Sequence, residues 1–358
     1  MADVVVVGAG VAGASVAFAA ARRGASVTVV DDGRPGRATA AGAGIIAPWA
    51  TSLSGDVYRL YSAGADAYPL LLAALGEVGI DDVGYARNGA LVATSDPDEA
   101  AAMLGRLTPR AAGSEVAGLP ELIDAAEVRR LFPALSPDLL GVHVPGGARV
   151  DGRRLAAGLL DGVTRLGGTV LEGVATLADG QVVVDGTVHG SDTVVVAAGA
   201  WVGALLADRT TIAVAAQRGQ LCHLRLDGVE TGRWPSVIAP GNHYIVPFDD
   251  GRVVVGATRE PDVDDVRVTA DGVASVLALA LEAAPGLGAA TLLETRVGLR
   301  PYPTIDHRPT VGPIDDRTWV VTGFGAIGLT IGPTVGERVA GTLLGGADDE
   351  LLTPFAPI

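Results

Sequence analysis

A chain of 358 residues can hold two hydrophobic cores, and 49% hydrophobic against 19% charged residues excludes a disordered polymer. Its net charge of −15 argues against a sequence-independent grip on nucleic-acid phosphates, which needs a basic surface. All 26 basic residues are arginine, which removes Schiff-base lysine chemistry and the phosphate-loop lysine.

Residues 4–7 are four valines in a row, the pattern of a parallel strand buried on both faces. A glycine-rich turn and an alanine-rich helix to about Arg23 follow; Gly24 ends the helix and residues 27–30 form the next strand. The uncharged stretch 4–21 is built on Gly and Ala, and Asp3 precedes it without a basic segment. It therefore reads as strand, turn and helix and not as a membrane span or signal peptide.

Beyond Pro48, Tyr58, Tyr61, Ala65, Tyr68 and Leu72 fall at helical spacing and predict helical structure over about 56–78. A short strand is expected at 89–93, and residues 94–140 lean helical, broken by Pro120 and Pro133. A helix at 153–166 leads into strands at 169–171, 181–184 and 193–197. Alternating strands then dominate 217–258, with 244–247 and 252–256 joined by the turn Asp249-Asp250-Gly251. A helix over 269–283, a strand at 319–322 and a glycine-rich turn into a helix ending near Leu344 complete the chain. The order α/β, α+β, α/β predicts a nucleotide-binding domain interrupted by insertions that build a second domain.

Gly8-Ala9-Gly10-Val11-Ala12-Gly13 is a G-x-G-x-x-G string between a predicted strand and a predicted helix. Gly8 permits the tight turn, Gly10 lets the backbone approach a pyrophosphate, and Gly13 lets helix and strand pack closely. The helix N-terminus then offers N–H groups and a positive dipole end to phosphates. Asp31, followed by Asp32, ends the second strand where a carboxylate can accept hydrogen bonds from ribose hydroxyls. This motif points to a dinucleotide and leaves NAD and FAD open.

Further landmarks follow in order. Ala40-Ala41-Gly42-Ala43-Gly44-Ile45-Ile46-Ala47-Pro48 comes first, then Val194-Val195-Val196-Ala197-Ala198-Gly199-Ala200-Trp201 and Tyr244-Ile245-Val246-Pro247. Gly251-Arg252-Val253-Val254-Val255-Gly256-Ala257-Thr258 and Gly298-Leu299-Arg300-Pro301 precede Thr322-Gly323-Phe324-Gly325-Ala326-Ile327-Gly328-Leu329-Thr330. Together, almost end to end, they resemble the D-amino-acid oxidase/dehydrogenase (DAO) family of FAD-dependent oxidoreductases, most closely its glycine oxidase-like branch.

The resemblance implies an α/β plus α+β fold, with a Rossmann-like (GR2-type) FAD-binding domain and an inserted substrate domain on an antiparallel sheet. The expected division gives 1–50, 146–215 and 300–358 to the FAD domain and 51–145 and 216–299 to the substrate domain. It implies that Ala43, Gly44, Ile45 and Ile46, with Ala198, Gly199 and Trp201, line the isoalloxazine and pyrophosphate region, and that the Val174 backbone meets the adenine. Gly325, Ala326, Ile327, Gly328, Leu329 and Thr330 would open the last helix toward the flavin N1–C2=O edge, where N–H groups and a helix dipole favour negative charge.

In this family an arginine such as Arg300, in its G-L-R-P context, holds the substrate carboxylate above the flavin. A planar guanidinium suits that bidentate task better than an ammonium. Tyr244 matches the active-site tyrosine. His243 beside it falls on the opposite face of a regular strand, and His307 and Arg308 read as loop residues. His143, His189 and His223 have no metal-ligand spacing, so no metal is expected.

The activity implied is oxidative deamination of a D-amino acid or glycine by hydride transfer from Cα to flavin N5, giving an imino acid and then a 2-oxo acid. The alternative is a secondary amine such as sarcosine or another N-alkyl or cyclic amino acid. A non-catalytic flavin subunit and a plain NAD dehydrogenase are the rivals; intact Arg300 and Tyr244 oppose the first and the later landmarks the second. The partners expected are that substrate and oxygen or another electron acceptor, with no nucleic acid and no integral membrane segment; a homo-oligomer stays open. One cysteine, Cys222, allows no internal disulfide and fits a cytoplasmic setting.

Two departures from the family stand out. Some relatives attach FAD through a cysteine in the stretch here occupied by residues 299–306; none is present, so noncovalent FAD is expected. The glycine oxidase-like branch tends to carry an arginine in the C-terminal turn where this chain has Ala326, which puts strict glycine specificity in question.

Overall fold

The computed structural model describes residues 2–178 and 180–357. A six-stranded sheet takes the order Thr310–Pro313, Thr318–Thr322, Thr193–Val196, Asp3–Val7, Ser26–Asp31, Thr169–Glu172. All neighbours are parallel except the first pair. The valine run explains its central place. Val4 and Val6 face the large helical core and Val5 and Val7 a separate core on the other side, so both strand faces exclude water.

The helix Val11–Arg22 ends before Gly24 (φ +83°), as its left-handed backbone requires. The helical stretch expected over 56–78 is present as two helices, Gly55–Asp66 and Tyr68–Glu77. They break at Ala67 because Pro69 lacks an N–H and starts a new first turn. Among the described residues no helix is long and apolar enough to cross a membrane.

The second, nine-stranded sheet runs Glu260–Pro261, Val214–Arg225, Arg252–Gly256, His243–Pro247, Ser236–Ala239, Ala90–Thr94, Leu140–Val144, Glu121–Ile123, with Thr291–Pro303 also paired to Val214–Arg225. It is antiparallel but for one parallel pair, Ser236–Ala239 with Ala90–Thr94. The helix Ala270–Ala283 covers one face of this sheet through Val276 and Ala280. The Leu140–Val144, Glu121–Ile123 and Thr291–Pro303 strands lie where no strand is predicted. The expected boundaries at 215/216 and 299/300 fall inside the Val214–Arg225 and Thr291–Pro303 strands. Those two strands pair along their full length and set Arg300 opposite Gln217.

Candidate active site

One cavity of about 400 Å3 takes its wall from both sheets. The first sheet contributes Gly8, Gly10, Val11, Ala12, Asp31 and Asp32; loops beside it add Ala43, Gly44, Ile45, Val174, Ala198, Gly199 and Trp201. The second sheet brings Tyr244 and Arg300, and the C-terminal turn brings Gly325, Ala326, Gly328, Leu329 and Thr330. Three expected residues stand outside this wall. Gly13 lies under the turn, where an added Cβ would sit 1.9 Å from the Gly8 carbonyl. Ile46 is buried in the helical core, and Ile327 caps the last helix and packs against that core.

The glycine turn is held from two sides. Gly8 adopts φ +110°, and a Cβ there would approach the Ala197 carbonyl to 2.4 Å. Both Asp31 oxygens are engaged: Oδ2 accepts from the Ala9 N–H (2.7 Å), while Oδ1 accepts from the Gly33 N–H (2.8 Å) and Arg37 Nη1 (2.9 Å). An ionised carboxylate has about four acceptor sites, so roughly one remains for a ribose hydroxyl. Thr39, which no spacing rule singles out, accepts the Val11 N–H at 2.9 Å and so occupies a first-turn donor expected to face the ligand.

The last helix, Gly328–Leu343, begins at the same cavity, and its N-cap makes no side-chain hydrogen bond. It packs tightly on Val11–Arg22 because its own glycines allow it. A Cβ at Gly332 would stand 2.9 Å from Val11, and one at Gly336 would stand 2.5 Å from Ser15. Two positive dipole ends therefore face one cavity. The Gly325 N–H donates to the Pro301 carbonyl (2.9 Å) and the Thr322 hydroxyl to the Gly199 carbonyl (3.0 Å), tying the turn to the Arg300 strand and to the mid-chain motif.

Arg300 is half-buried, with Nη1 donating to the Gln217 side-chain oxygen (3.3 Å) and to the carbonyls of Arg218 (3.4 Å) and Thr258 (3.1 Å). Among the described residues neither Nε nor Nη2 has an acceptor, and no carboxylate pairs with the group. Burial pulls its pKa down to about 10 and nearby Arg259 pushes the same way, so the guanidinium is charged at neutral pH. Gly219, absent from any motif, makes the room: a Cβ there would lie 2.3 Å from Arg300 Nη2. Tyr244 stands in the same wall, close enough to Arg300 to act on it electrostatically. Behind it, burial and then Tyr244 raise the Tyr61 phenol above its ordinary range, so Tyr61 stays protonated.

A polar network lies beside Arg300. Glu260 Oε1 accepts from Thr258 Oγ1 (2.6 Å) and Gln220 Nε2 (2.7 Å), and Oε2 accepts from Arg218 Nε (2.9 Å). His243 is not in the cavity wall, and the His307 ring packs edge-on to Tyr302 at 5.6 Å. The described residues bring no three His, Cys, Asp or Glu side chains together at a metal-binding distance.

The sequence matches the DAO family, described as FAD dependent oxidoreductase, over residues 3–342. The chain belongs to this family. It is 39% identical over 372 residues to the uncharacterized oxidoreductase YurR of Bacillus subtilis (strain 168), covering 100% of this chain and 99% of that protein. The iminodiacetate oxidase IdaA from Chelativorans sp. BNC1 superposes with a TM-score of 0.95 at 42% identity, covering 99% of this chain and 98% of that one. Glycine oxidase from Geobacillus kaustophilus follows with a TM-score of 0.86, 27% identity and coverage of 99% and 98%. This DAO-family chain is therefore an FAD-dependent oxidoreductase of amines or amino acids, in the glycine oxidase-like branch.

The cavity of this oxidoreductase fits FAD. Its Gly8–Ala12 end joins backbone donors to an acidic strand end, as a dinucleotide needs, and its other end joins the apolar Ala43, Ile45 and Leu329 to an uncapped helix N-terminus, as a flavin ring needs. Gly10 could carry no side chain without meeting Thr39 Oγ1 at 3.3 Å.

Proposed function

We propose that this enzyme oxidises a small α-amino acid whose carboxylate is held by Arg300, and that its donors are secondary amines of the N-carboxymethyl or N-alkyl glycine kind. The observation that carries the reading is the Arg300 guanidinium at the cavity wall, with two nitrogens lacking an acceptor among the described residues. A planar cation so placed binds a carboxylate in a bidentate manner and fixes the neighbouring Cα, an orientation effect that contributes several kcal/mol to such reactions, on the order of 7 or more in the best cases. Gly8, Gly10, Ala12, Asp31 and Val174 would hold the AMP half of the cofactor, with Gly44, Ile45, Gly328 and Leu329 around its ring. When bound, FAD supplies the hydride acceptor for the substrate Cα–H. The organic product of such an oxidation is an imine, which water hydrolyses to a 2-oxo acid and an amine.

Glycine and small D-amino acids satisfy the same clamp. Two observations favour the secondary amine. Ala326 stands in the cavity wall where the glycine oxidase-like branch tends to carry an arginine, and it leaves space for a substituent on nitrogen. The relative that is 42% identical acts on iminodiacetate, itself a secondary amine. The test is anaerobic flavin bleaching with glycine, D-alanine, sarcosine and iminodiacetate. Faster bleaching by the two secondary amines is expected; bleaching by glycine or D-alanine alone refutes the reading.

A further inference from the structure

Arg300 has an arginine neighbour that the clamp does not require. Arg259 follows directly on Thr258, whose carbonyl accepts Arg300 Nη1 at 3.1 Å, so its backbone begins one peptide from the guanidinium. Its side chain reaches the other way, Nη2 contacting the Asn242 carbonyl at 3.4 Å, two residues before the wall residue Tyr244. Arg259 is not in the cavity wall itself but stands beside it, between the segment that gives Arg300 an acceptor and the segment that leads to Tyr244. It is exposed, and among the described residues it has no carboxylate within ion-pair distance.

The chain has 41 acidic residues from which to pair it. The acidic group next in sequence, Glu260, is turned inward and committed to Arg218, Gln220 and Thr258. His243, also near Arg259, is kept neutral by its own burial and by that same positive charge. The charges of Arg300 and Arg259 stand close enough to repel each other and are only partly offset by Glu260, a repulsion that a dianion relieves. One carboxylate on Arg300 neutralises one of them; the geometry leaves a second cation at the rim for a second carboxylate.

We propose that Arg259 binds the distal carboxylate of a dicarboxylic secondary amine, so that the pocket takes an N-carboxymethyl amino acid in preference to its N-methyl counterpart. This rests on the secondary-amine reading above and narrows it. In iminodiacetate the two carboxyl carbons are separated by about 5 Å when extended, from ordinary bond lengths, so both ends stay within one pocket and its rim.

The FAD-loaded enzyme and its Arg259→Met and Arg259→Lys variants are compared on iminodiacetate and sarcosine, which share the secondary amine and differ by one carboxylate. The expected result is a kcat/KM for iminodiacetate that falls at least tenfold more than that for sarcosine in Arg259→Met, chiefly through KM, with partial recovery in Arg259→Lys. Equal losses on both substrates, or none, overturn the assignment while leaving secondary-amine oxidation intact. Wild-type enzyme that oxidises glycine but neither of these amines overturns the reading beneath it as well. A binding readout stands apart from turnover: oxydiacetate, the ether analogue, should raise the Tm of wild type more than methoxyacetate does. That difference should vanish in Arg259→Met, and its persistence overturns the assignment.

Discussion

Replacing Gly219 by alanine tests the proposed carboxylate clamp without substituting Arg300 itself. The new Cβ would lie 2.3 Å from Arg300 Nη2 and 2.5 Å from both Cζ and Nη1, whereas ordinary contact begins near 3.4 Å, so the guanidinium must retreat by about 1 Å. It can do so, being the end of a long side chain, but only by releasing acceptors on Gln217, Arg218 and Thr258. Misplacing a substrate anchor by that distance costs roughly 100-fold, or about 2.7 kcal/mol, in kcat/KM. Steady-state kinetics on the best amine of the panel reads this loss, with flavin content and Tm as controls. Arg300→Ala sets the floor and should lose at least as much, since it removes the charged bidentate contact altogether. A Gly219→Ala enzyme with kcat/KM within threefold of wild type, at unchanged Tm, would refute the argument that Arg300 works from the position it occupies here.

Other outcomes are expected together. Asp31→Asn leaves the Arg37 charge unpaired and exchanges one acceptor oxygen for a donor beside the Ala9 and Gly33 N–H groups, so flavin fluorescence titration should show FAD binding weakened about tenfold or more. His223 is buried with neither ring nitrogen hydrogen-bonded among the described residues, and burial, then Arg296, hold its pKa down to about 4. A folded-state value below the unfolded 6.5 means stability is complete above about pH 6.5 and declines as pH falls toward 4, on the order of 3 kcal/mol in all. Urea midpoints across that window should flatten in His223→Leu. Acid precipitation should leave all the FAD in the supernatant, because no cysteine lies in 299–306 and Cys222 is buried in the second sheet; a yellow pellet would contradict this.

The parts of the fold readable in the residues are those governed by local rules. The valine strand, the glycine turn and the helix ending at Gly24 each follow from neighbours within a few positions. The strand Thr291–Pro303 does not: Leu293, Val297 and Leu299 alternate with Glu294, Arg296 and Arg300, but Gly298, Pro301 and Pro303 argue locally against a central strand. It exists because Val214–Arg225 offers it a partner along its whole length. Missing that strand also hid Gly219, whose role depends on a side chain 81 positions later. Thr39 stayed hidden for a similar reason, as a hydroxyl that caps a helix 28 residues behind it leaves no periodic trace. Arg300 and Tyr244 were nameable through family resemblance, while the register that brings both to one cavity is a tertiary property.

The central position of Asp3–Val7 has a consequence in time. Its neighbour Ser26–Asp31 emerges from the ribosome almost at once, but Thr193–Val196 is made far later, and the Thr318–Thr322 strand that flanks it later still. At ribosomal speeds of roughly 5–20 residues per second, the first strand waits some 15 to 60 s before its sheet can be completed. Throughout that interval Val5 and Val7, which pack against Val194, Val196 and Val320 in the finished protein, lack their native cover. This early strand is thus among the last elements of its sheet to be enclosed on that face.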